Sequence, residues 1–176
     1  KVLDADDCFN TRVFEAYLNG IKEYDTDMLI SDYVEVYPEL ETIISCDIPG
    51  NQIVDFKELC KNHKIWNLWM HNVAYKRELL LGIDYQQTEG ISYTDQEWIF
   101  SPFTAVKTAV YFKLPLYRYT LGREGQTMSS AFSDKHFRDN IVCTCNMIEL
   151  ARHFNNVPNE IMSMLNYRLQ KRCKFI

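Results

Sequence analysis

The sequence is poor in the features that mark disordered, fibrous or membrane-spanning chains. It has 6 glycines and 5 prolines in 176 residues, too few for a fibrous or low-complexity protein. It has no apolar run close to the ~20 residues that a membrane-spanning helix needs. Its 6 cysteines include no CxxC pair, which favours buried or idle thiols in a reducing compartment over a disulfide framework.

The chain also lacks an excess of positive charge. Its formal net charge of −5 argues against nucleic acid as a main partner, because binding to phosphates requires a basic surface. The same charge suits a protein that holds a divalent cation. Apolar material is abundant: 47% of the residues are hydrophobic, and 11 Tyr, 10 Phe and 3 Trp supply enough bulk for the core of one domain.

Hydrophobic spacing predicts helices and strands that alternate early in the chain and helices that dominate later. One helix is expected to begin after Asn10 or Thr11, and another near Asp55. A third is expected near 75–81 and closed by Gly82. The first helix has an apolar face at helical spacing, formed by Val13, Phe14, Tyr17, Leu18 and Ile21.

Strands are expected in "DMLISDYVEVY" and "ETIISC", and as two short segments on either side of Pro115. A helix headed by Asp95 is expected to be kinked or shortened by Pro102. The last two helices are expected near 133–154 and 158–172. The predicted fold class is therefore α/β, with a short mixed sheet packed by helices.

The turn "DADD" is the first stretch with candidate chemistry, because Asp4, Asp6 and Asp7 follow a short apolar step. Mg²⁺ and Mn²⁺ prefer oxygen ligands and are usually held by one or two carboxylates plus substrate phosphates. Two carboxylates spaced Asp-x-Asp at the end of a strand point the same way, as such an ion requires. The alternative is a polar turn before a helix, with Asp7 as its cap.

Two further stretches contain a candidate general base and candidate hydrogen-bond donors to an anion. Asp95 in "YTDQEW" is flanked by aromatic residues, and desolvation would raise its basicity as a general base requires. Its alternative role is an acid satisfied by N–H groups at the start of a helix. "LYRYTLGREGQTMS" offers donors from Arg118, Gln126 and Thr127 to an anionic oxygen, or is a surface loop.

Taken in order, these stretches resemble glycosyltransferase family 2 from residue 1 to about 130. "KVLDADDCFNTRVFEAYLNGIKEYDTDMLISDY" is similar to the family's central block, in which a strand ends in a DxDD turn and a helix and an apolar strand follow. "WMHNVAYKRELLLGIDY" resembles its segment of aromatic-Asn, basic pair and Glu-Leu-Leu. "YTDQEWIF" matches the place of its Glu-Asp pair, and "LPLYRYTLGREGQTMS" resembles its tyrosine strand and Gly-Ser/Thr loop.

The resemblance implies a GT-A fold and an inverting transfer of a sugar from a nucleotide-diphosphate donor. Asp4 would lie near the ribose or the metal, and Asp6 would bind the Mn²⁺ or Mg²⁺ that bridges the diphosphate. Asp95 would be the catalytic base. Arg118, Gln126 and Thr127 are expected to contact the diphosphate or the acceptor. Trp66 and Trp69 are expected to stack on a sugar ring or to pack in the core.

The chain departs from the family's pattern in two respects. Thr94 stands where the family usually has Glu before the base. The family's N-terminal half, with the loop that holds the nucleotide base, comes before the DxD turn and has no counterpart here. We therefore expect 1–130 to be the C-terminal portion of a GT-A domain and 131–176 a helical C-terminal extension, the whole being an inactive fragment of an active enzyme.

The expected partners are a nucleotide-diphosphate sugar donor and a glycan or lipid-linked acceptor, as in bacterial polysaccharide biosynthesis. The expected location is the cytoplasm or the inner face of the membrane. The basic end of the last helix, "YRLQKRCKF", either suits the negative end of a helix or touches an anionic membrane surface. The two late helices are also candidates for a homodimer contact.

Two rival functions stay open. One is a catalytically inactive module that binds a glycan or a protein and retains the GT-A architecture. The other is a metal-dependent phosphoryl-transfer enzyme built on Asp4, Asp6 and Asp95, although no P-loop is present. The four histidines are scattered along the chain and are expected to be structural.

Overall fold

The structure of the protein is a computed structural model that describes residues 1–62, 64–122 and 134–174. Its strands in these ranges are β1 (Cys8–Phe9), β2 (Met28–Val36), β3 (Glu41–Ile44), β4 (Ile53–Asp55), β5 (Val73–Tyr75) and β6 (Thr108–Thr120). Its helices are α1 (Thr11–Glu23), α2 (Phe56–Lys61), α3 (Arg77–Gly82), α4 (Asp95–Trp98), α5 (Asp134–Arg152) and α6 (Asn159–Cys173), with a 3₁₀ turn at Ser101–Thr104.

The strands form one mixed sheet, and its main order is β1-β6-β2-β3. β2 and β6 run parallel at the centre. β1 and β4 pair antiparallel with β6, and β3 and β5 pair antiparallel with β2. The strands predicted for "DMLISDYVEVY" and "ETIISC" are confirmed as the partners β2 and β3.

The prediction of two short strands around Pro115 is wrong, because β6 runs through this proline as one strand. The strand is continuous, and the pairing with β2 shifts its register on both sides of Asp32, which lies opposite Pro115. Proline has no N–H to donate to a ladder, and an irregularity at that point lets the strand pass it without a break. β6 therefore extends far enough to reach the turn that contains Asp7.

Alternate side chains of β6 face two cores, as the period of a strand requires. Val110 and Phe112 pack under α1 in the smaller core. Tyr111 and Tyr117 belong to the larger core, which is completed by buried side chains of α2, α5 and α6. The two late helices that the sequence predicts are confirmed, and their buried side chains belong to the larger core.

The apolar face that the sequence predicts for α1 is only partly buried. Tyr17 is buried, but three predicted members remain 36–41% exposed: Phe14, Leu18 and Ile21. The reason is the close approach of α1 to the sheet at Gly20, where the helix backbone lies against the ring of Phe112. The helix meets the sheet along this narrow line, and the rest of its apolar face lies outside the contact.

Helix ends follow the predicted capping residues in two of three cases. Asn10 caps α1 by accepting a hydrogen bond from the N–H of Arg12, and Asp55 caps α2. Gly82 was expected just beyond α3 but is its last residue, and Asp84 adopts the left-handed conformation instead.

The predicted domain boundary between residues 130 and 131 lies outside the described residues. On its C-terminal side, α5 and α6 share the larger core with the sheet. No helix within the described ranges has the length and apolarity to cross a membrane.

Candidate functional site

The acidic turn is anchored to the end of β6 by Tyr117. The turn is closed by a hydrogen bond from the N–H of Asp7 to the carbonyl of Asp4. The Tyr117 hydroxyl accepts from the N–H of Asp4 at 3.2 Å and donates to Oδ2 of Asp7 at 2.6 Å. The N–H of Thr120 donates to Oδ1 of Asp7 at 2.8 Å. Asp7 is thus oriented by two donors from β6, and it does not cap α1, whose cap is Asn10.

Asp95 is the first residue of α4, and its carboxylate lies in a desolvated position. Burial raises the pKa of Asp95, and this is the direction that its aromatic neighbours predict. A hydrogen bond from Gln96 to Oδ2 at 2.7 Å and the positive charge of Arg172 oppose the rise in pKa. The side chain therefore combines a raised basicity with a nearby charge that favours its ionised form.

The structure brings Asp4, Asp6 and Asp95 into one acidic group, although the first two are far from Asp95 in sequence. Desolvation, followed by the negative charges of Asp7, Asp95 and Asp6, raises the pKa of Asp4 to about 6. Tyr119 of β6 lies among the same carboxylates, and desolvation together with their charges raises its pKa to about 12. The negative charges that act on Asp4 and Tyr119 form a surface on which a cation would be stabilised.

His71 lies against this group within a set of aromatic rings. Its ring stacks on Tyr119 with centroids 4.3 Å apart and lies 4.7 Å from the ring of Tyr117. Desolvation, followed by the charge of Lys1, lowers the pKa of His71 to about 4, so its imidazole is neutral at pH 7. Ligand atoms of Asp4, Asp7 and His71 all lie within 4.8 Å of one another.

The two tryptophans have different surroundings. Trp66 donates its indole N–H to the carbonyl of Cys60 at 2.6 Å, and its ring packs 4.8 Å from Tyr167 of α6. Trp69 is 46% exposed, which leaves a face of its ring open to solvent. Of the pair, Trp69 is therefore the better placed to stack on a sugar ring, while Trp66 links α2 to α6.

The predicted anion donors are only partly within the described residues. Arg118 of β6 forms a two-point ion pair with Glu41 of β3, and one of its bonds measures 3.1 Å. This pair occupies the guanidinium group in the present conformation. Gln126 and Thr127 lie outside the described residues.

Thr94 and Glu97, which flank the position of the base, both have structural partners. Thr94 accepts a hydrogen bond from Gln87 at 2.8 Å. Glu97 is buried and accepts bonds from the N–H and hydroxyl of Thr88 at 2.8 and 2.7 Å. Glu97 therefore fixes the segment before α4 and does not replace the glutamate that the family pattern places at Thr94.

Arg172 was not predicted as a site residue. Its guanidinium carbon lies 5.6 Å from the ring centroid of Tyr93, and its charge acts on Asp95. Its Nε and Nη2 are buried and have no hydrogen-bond partner among the described residues. Tyr93 itself has a φ of 69°, a left-handed conformation that costs free energy in a non-glycine residue. The strained residue Tyr93, two residues before Asp95, is therefore also the one whose ring contacts the guanidinium of Arg172, two of whose nitrogens have no hydrogen-bond partner within the described ranges.

The basic end of α6 is engaged within its own chain. Arg168 donates to the carbonyl of Leu68 at 2.8 Å, and Lys171 donates to the side chain of Asn67 at 3.0 Å. These contacts give the basic residues a role in packing α6, and contact with a membrane stays a prediction.

Comparisons with known proteins give a fold but no family. Neither a scan of family models nor a search of curated proteins finds a match. Among solved structures, the chain is similar to Staphylococcus aureus TarS 1–349 in complex with UDP-GlcNAc, with a TM-score of 0.62 and 18% sequence identity over 98% of this chain and 48% of that one. The chain thus spans about half the length of that structure. The likeness confirms the predicted fold class, a mixed α/β arrangement of the partial GT-A type.

Proposed function

We propose that the whole protein that carries this chain is a metal-dependent hexosyltransferase of glycosyltransferase family 2. It would transfer a sugar from a nucleotide-diphosphate donor to an acceptor hydroxyl, with inversion. The observation that carries the proposal is the meeting of Asp95 with the acidic turn on a GT-A-like fold. The donor class is supported by the structure of TarS, a protein of similar fold that was solved with UDP-GlcNAc.

Asp95 is the proposed base. It would take the proton of the acceptor hydroxyl as the acceptor oxygen bonds to the anomeric carbon, while the bond from that carbon to the diphosphate breaks and its electrons leave with the diphosphate. One carboxylate is enough, because inversion requires a single displacement. Burial strengthens Asp95 as a base, and Arg172 favours the ionised form in which it can accept a proton.

The donor set fits a divalent cation. Asp4 and Asp6 are the ligands that the family resemblance implies, and Asp7 is oriented beside them by Tyr117 and Thr120. A bound Mn²⁺ or Mg²⁺ would neutralise the charge that grows on the leaving diphosphate. Desolvation, followed by repulsion from neighbouring carboxylates, raises the pKa of Asp4, and a bound cation would offset this repulsion.

The acceptor is proposed to be a glycan or a lipid-linked sugar. The exposed ring of Trp69, two residues before His71, offers a flat apolar surface of the kind on which sugars stack. Arg118, Gln126 and Thr127 stay proposals for contacts with the diphosphate or the acceptor. The proposed setting is the cytoplasm, at or near the inner face of the membrane.

Asp95→Asn in the whole protein tests the assignment of the base. We expect turnover of UDP- or GDP-sugars with Mn²⁺ to fall by on the order of 10²–10⁴-fold, while the donor Kd measured by calorimetry is unchanged. Asp84→Asn, which alters an exposed acid after α3, is the matched control and should keep full turnover. Full turnover by Asp95→Asn would exclude Asp95 as the base.

A second candidate is a catalytically inactive module that binds a glycan or a protein. Thr94 supports it, because the family's glutamate is absent and Glu97 is committed to Thr88. Calorimetry of the whole protein with UDP, GDP and Mn²⁺ separates the two functions. Binding of a nucleotide supports the enzyme, whereas tight binding of a glycan without any nucleotide affinity supports the module.

A further inference from the structure

We propose that Asp7 and His71 complete, with Asp4, the ligand set of one divalent cation, and that this set selects Mn²⁺ and similar transition metals over Mg²⁺. What the cation does in catalysis rests on the proposed function, but the ligand set does not. The three ligand atoms lie within 4.8 Å of one another. Bonds of about 2.1 Å place neighbouring ligands ~3 Å apart and opposite ligands ~4.2 Å apart, so the three atoms would draw closer together to bind an ion.

The hydrogen bonds around Asp7 hold its carboxylate in an orientation suited to a metal ligand. Tyr117 donates to one carboxylate oxygen and Thr120 to the other, so each oxygen keeps a lone pair for a cation. Such outer donors commonly fix the orientation of carboxylates that bind metals. Asp6, which the family resemblance makes a ligand, is exposed and is not among the three residues whose ligand atoms converge.

His71 brings the third ligand from a distant part of the chain. Its ring is held in place by Tyr119 on one side and Tyr117 on another. Its Nδ1 is buried and has no hydrogen-bond partner among the residues that the structure describes. Lys1, the neighbouring cation, donates to the backbone carbonyl of His71 at 2.6 Å.

The chemistry of the ligands sets the preference among metals. Mg²⁺ favours oxygen ligands and keeps several waters, whereas imidazole suits first-row transition metals. A site with two carboxylates and one imidazole should therefore bind Mn²⁺ or Co²⁺ more tightly than Mg²⁺. A site made only of the carboxylates of Asp4 and Asp6 would have no imidazole nitrogen, and so no such reason to prefer Mn²⁺ or Co²⁺ over Mg²⁺.

The first test uses the unaltered chain with Mn²⁺ and no sugar donor. Pulsed electron paramagnetic resonance of bound Mn²⁺ should show coupling to an imidazole nitrogen. Calorimetry should give a lower Kd for Mn²⁺ than for Mg²⁺. Binding without nitrogen coupling, or no Mn²⁺ binding at all, would overturn the proposal.

The second test compares variants. His71→Phe keeps an aromatic ring in the stack, and Asp7→Asn keeps the shape of the turn; each should weaken Mn²⁺ binding by about tenfold or more. His153→Gln, which alters an exposed histidine beyond α5, is the matched control and should leave the Kd within about twofold. An unchanged Kd in His71→Phe or in Asp7→Asn contradicts the ligand set. If a variant fails to fold by circular dichroism, the nitrogen coupling of the unaltered chain decides.

These readouts separate the ligand set from the proposed function. Mn²⁺ bound through His71 in a whole protein that transfers no sugar would leave the site standing and remove the function. Metal-dependent transfer that His71→Phe does not weaken would leave the function standing and remove the ligand set.

Discussion

The carboxylate of Asp95 is subject to opposing influences at the residue scale. Desolvation favours its protonated form, whereas the hydrogen bond from Gln96 and the charge of Arg172 favour its ionised form. A general base must be ionised to accept a proton, and it is most effective when its pKa is close to the working pH. If Asp95 is the base, as proposed, Arg172 would act on the reaction through Asp95 by favouring its ionised form.

Arg172→Gln should move the acid limb of the pH–rate profile to higher pH. Loss of the positive charge raises the pKa of Asp95, and activity is lost as pH falls through that pKa, so the loss begins at a higher pH. A shift of about one pH unit is expected in kcat/KM of the whole protein. Arg152→Gln, at an exposed arginine of α5, is the control. Coincident profiles for Arg172→Gln and the unaltered protein would show that Arg172 does not influence the base.

Single residues of the candidate site differ in how far the sequence predicts them. Asp4, Asp6 and Asp95 stand in short motifs whose composition indicates their chemistry. His71 has no local signal, because its relation to Asp4 depends on β6 bringing Tyr117 and Tyr119 between them. Arg172 likewise reaches Tyr93 only through the packing of α6. Contacts between distant segments are set by tertiary packing, which periodicity does not encode.

At the scale of elements, the position of α1 depends on the absence of a side chain at Gly20. A Cβ at this residue would lie 2.6 Å from Cζ of Phe112, inside the distance that two carbon atoms tolerate. The ring of Phe112 is buried and packs against Tyr17 at 6.2 Å, so it has little room to move aside. Gly20 is therefore the point at which α1 meets the sheet.

Gly20→Ala should lower the free energy of unfolding by about 1–3 kcal/mol, because overpacking outweighs the better helix propensity of alanine. Gly82→Ala in α3 is the matched control, since nothing lies within 4 Å of the Cβ it would add. That variant should be unchanged or more stable by up to about 1 kcal/mol. Urea unfolding of the chain measures both, and equal stability of the two variants would show that α1 adjusts freely.

Sequence patterns predict most elements here but not how they meet. The cap at Asn10 and the strand β2 depend on local sequence, and both are found where the sequence indicates. Pro115 misleads because a proline usually ends a strand, whereas pairing with β2 carries β6 past it. The exposed part of the α1 face was equally unpredictable, since a hydrophobic stripe does not reveal how much of it a neighbour covers.

On the scale of the whole molecule, α6 is part of the central core. Its residues Ile161, Met164 and Leu165 are buried, and Arg168 packs 5.4 Å from the ring centroid of Phe103. The Arg168 guanidinium also donates to the carbonyl of Leu68, in the segment that leads to His71. Through these contacts the C-terminal helix supports the 3₁₀ turn at Ser101–Thr104 and the segment that leads to His71.

Met164→Ala should therefore destabilise the entire chain, by about 2–5 kcal/mol, because it leaves a cavity where α6 meets the core. Tryptophan fluorescence and helical circular dichroism should follow the same urea transition, as expected of one cooperative unit. Ser163→Ala, at the exposed neighbouring position, should change stability by no more than about 0.5 kcal/mol. If 131–176 were an independent extension, Met164→Ala would shift the loss of helix alone and leave the fluorescence transition in place. Two separated transitions would thus contradict the shared core, because a helix that completes the packing around Phe103 cannot unfold without exposing it.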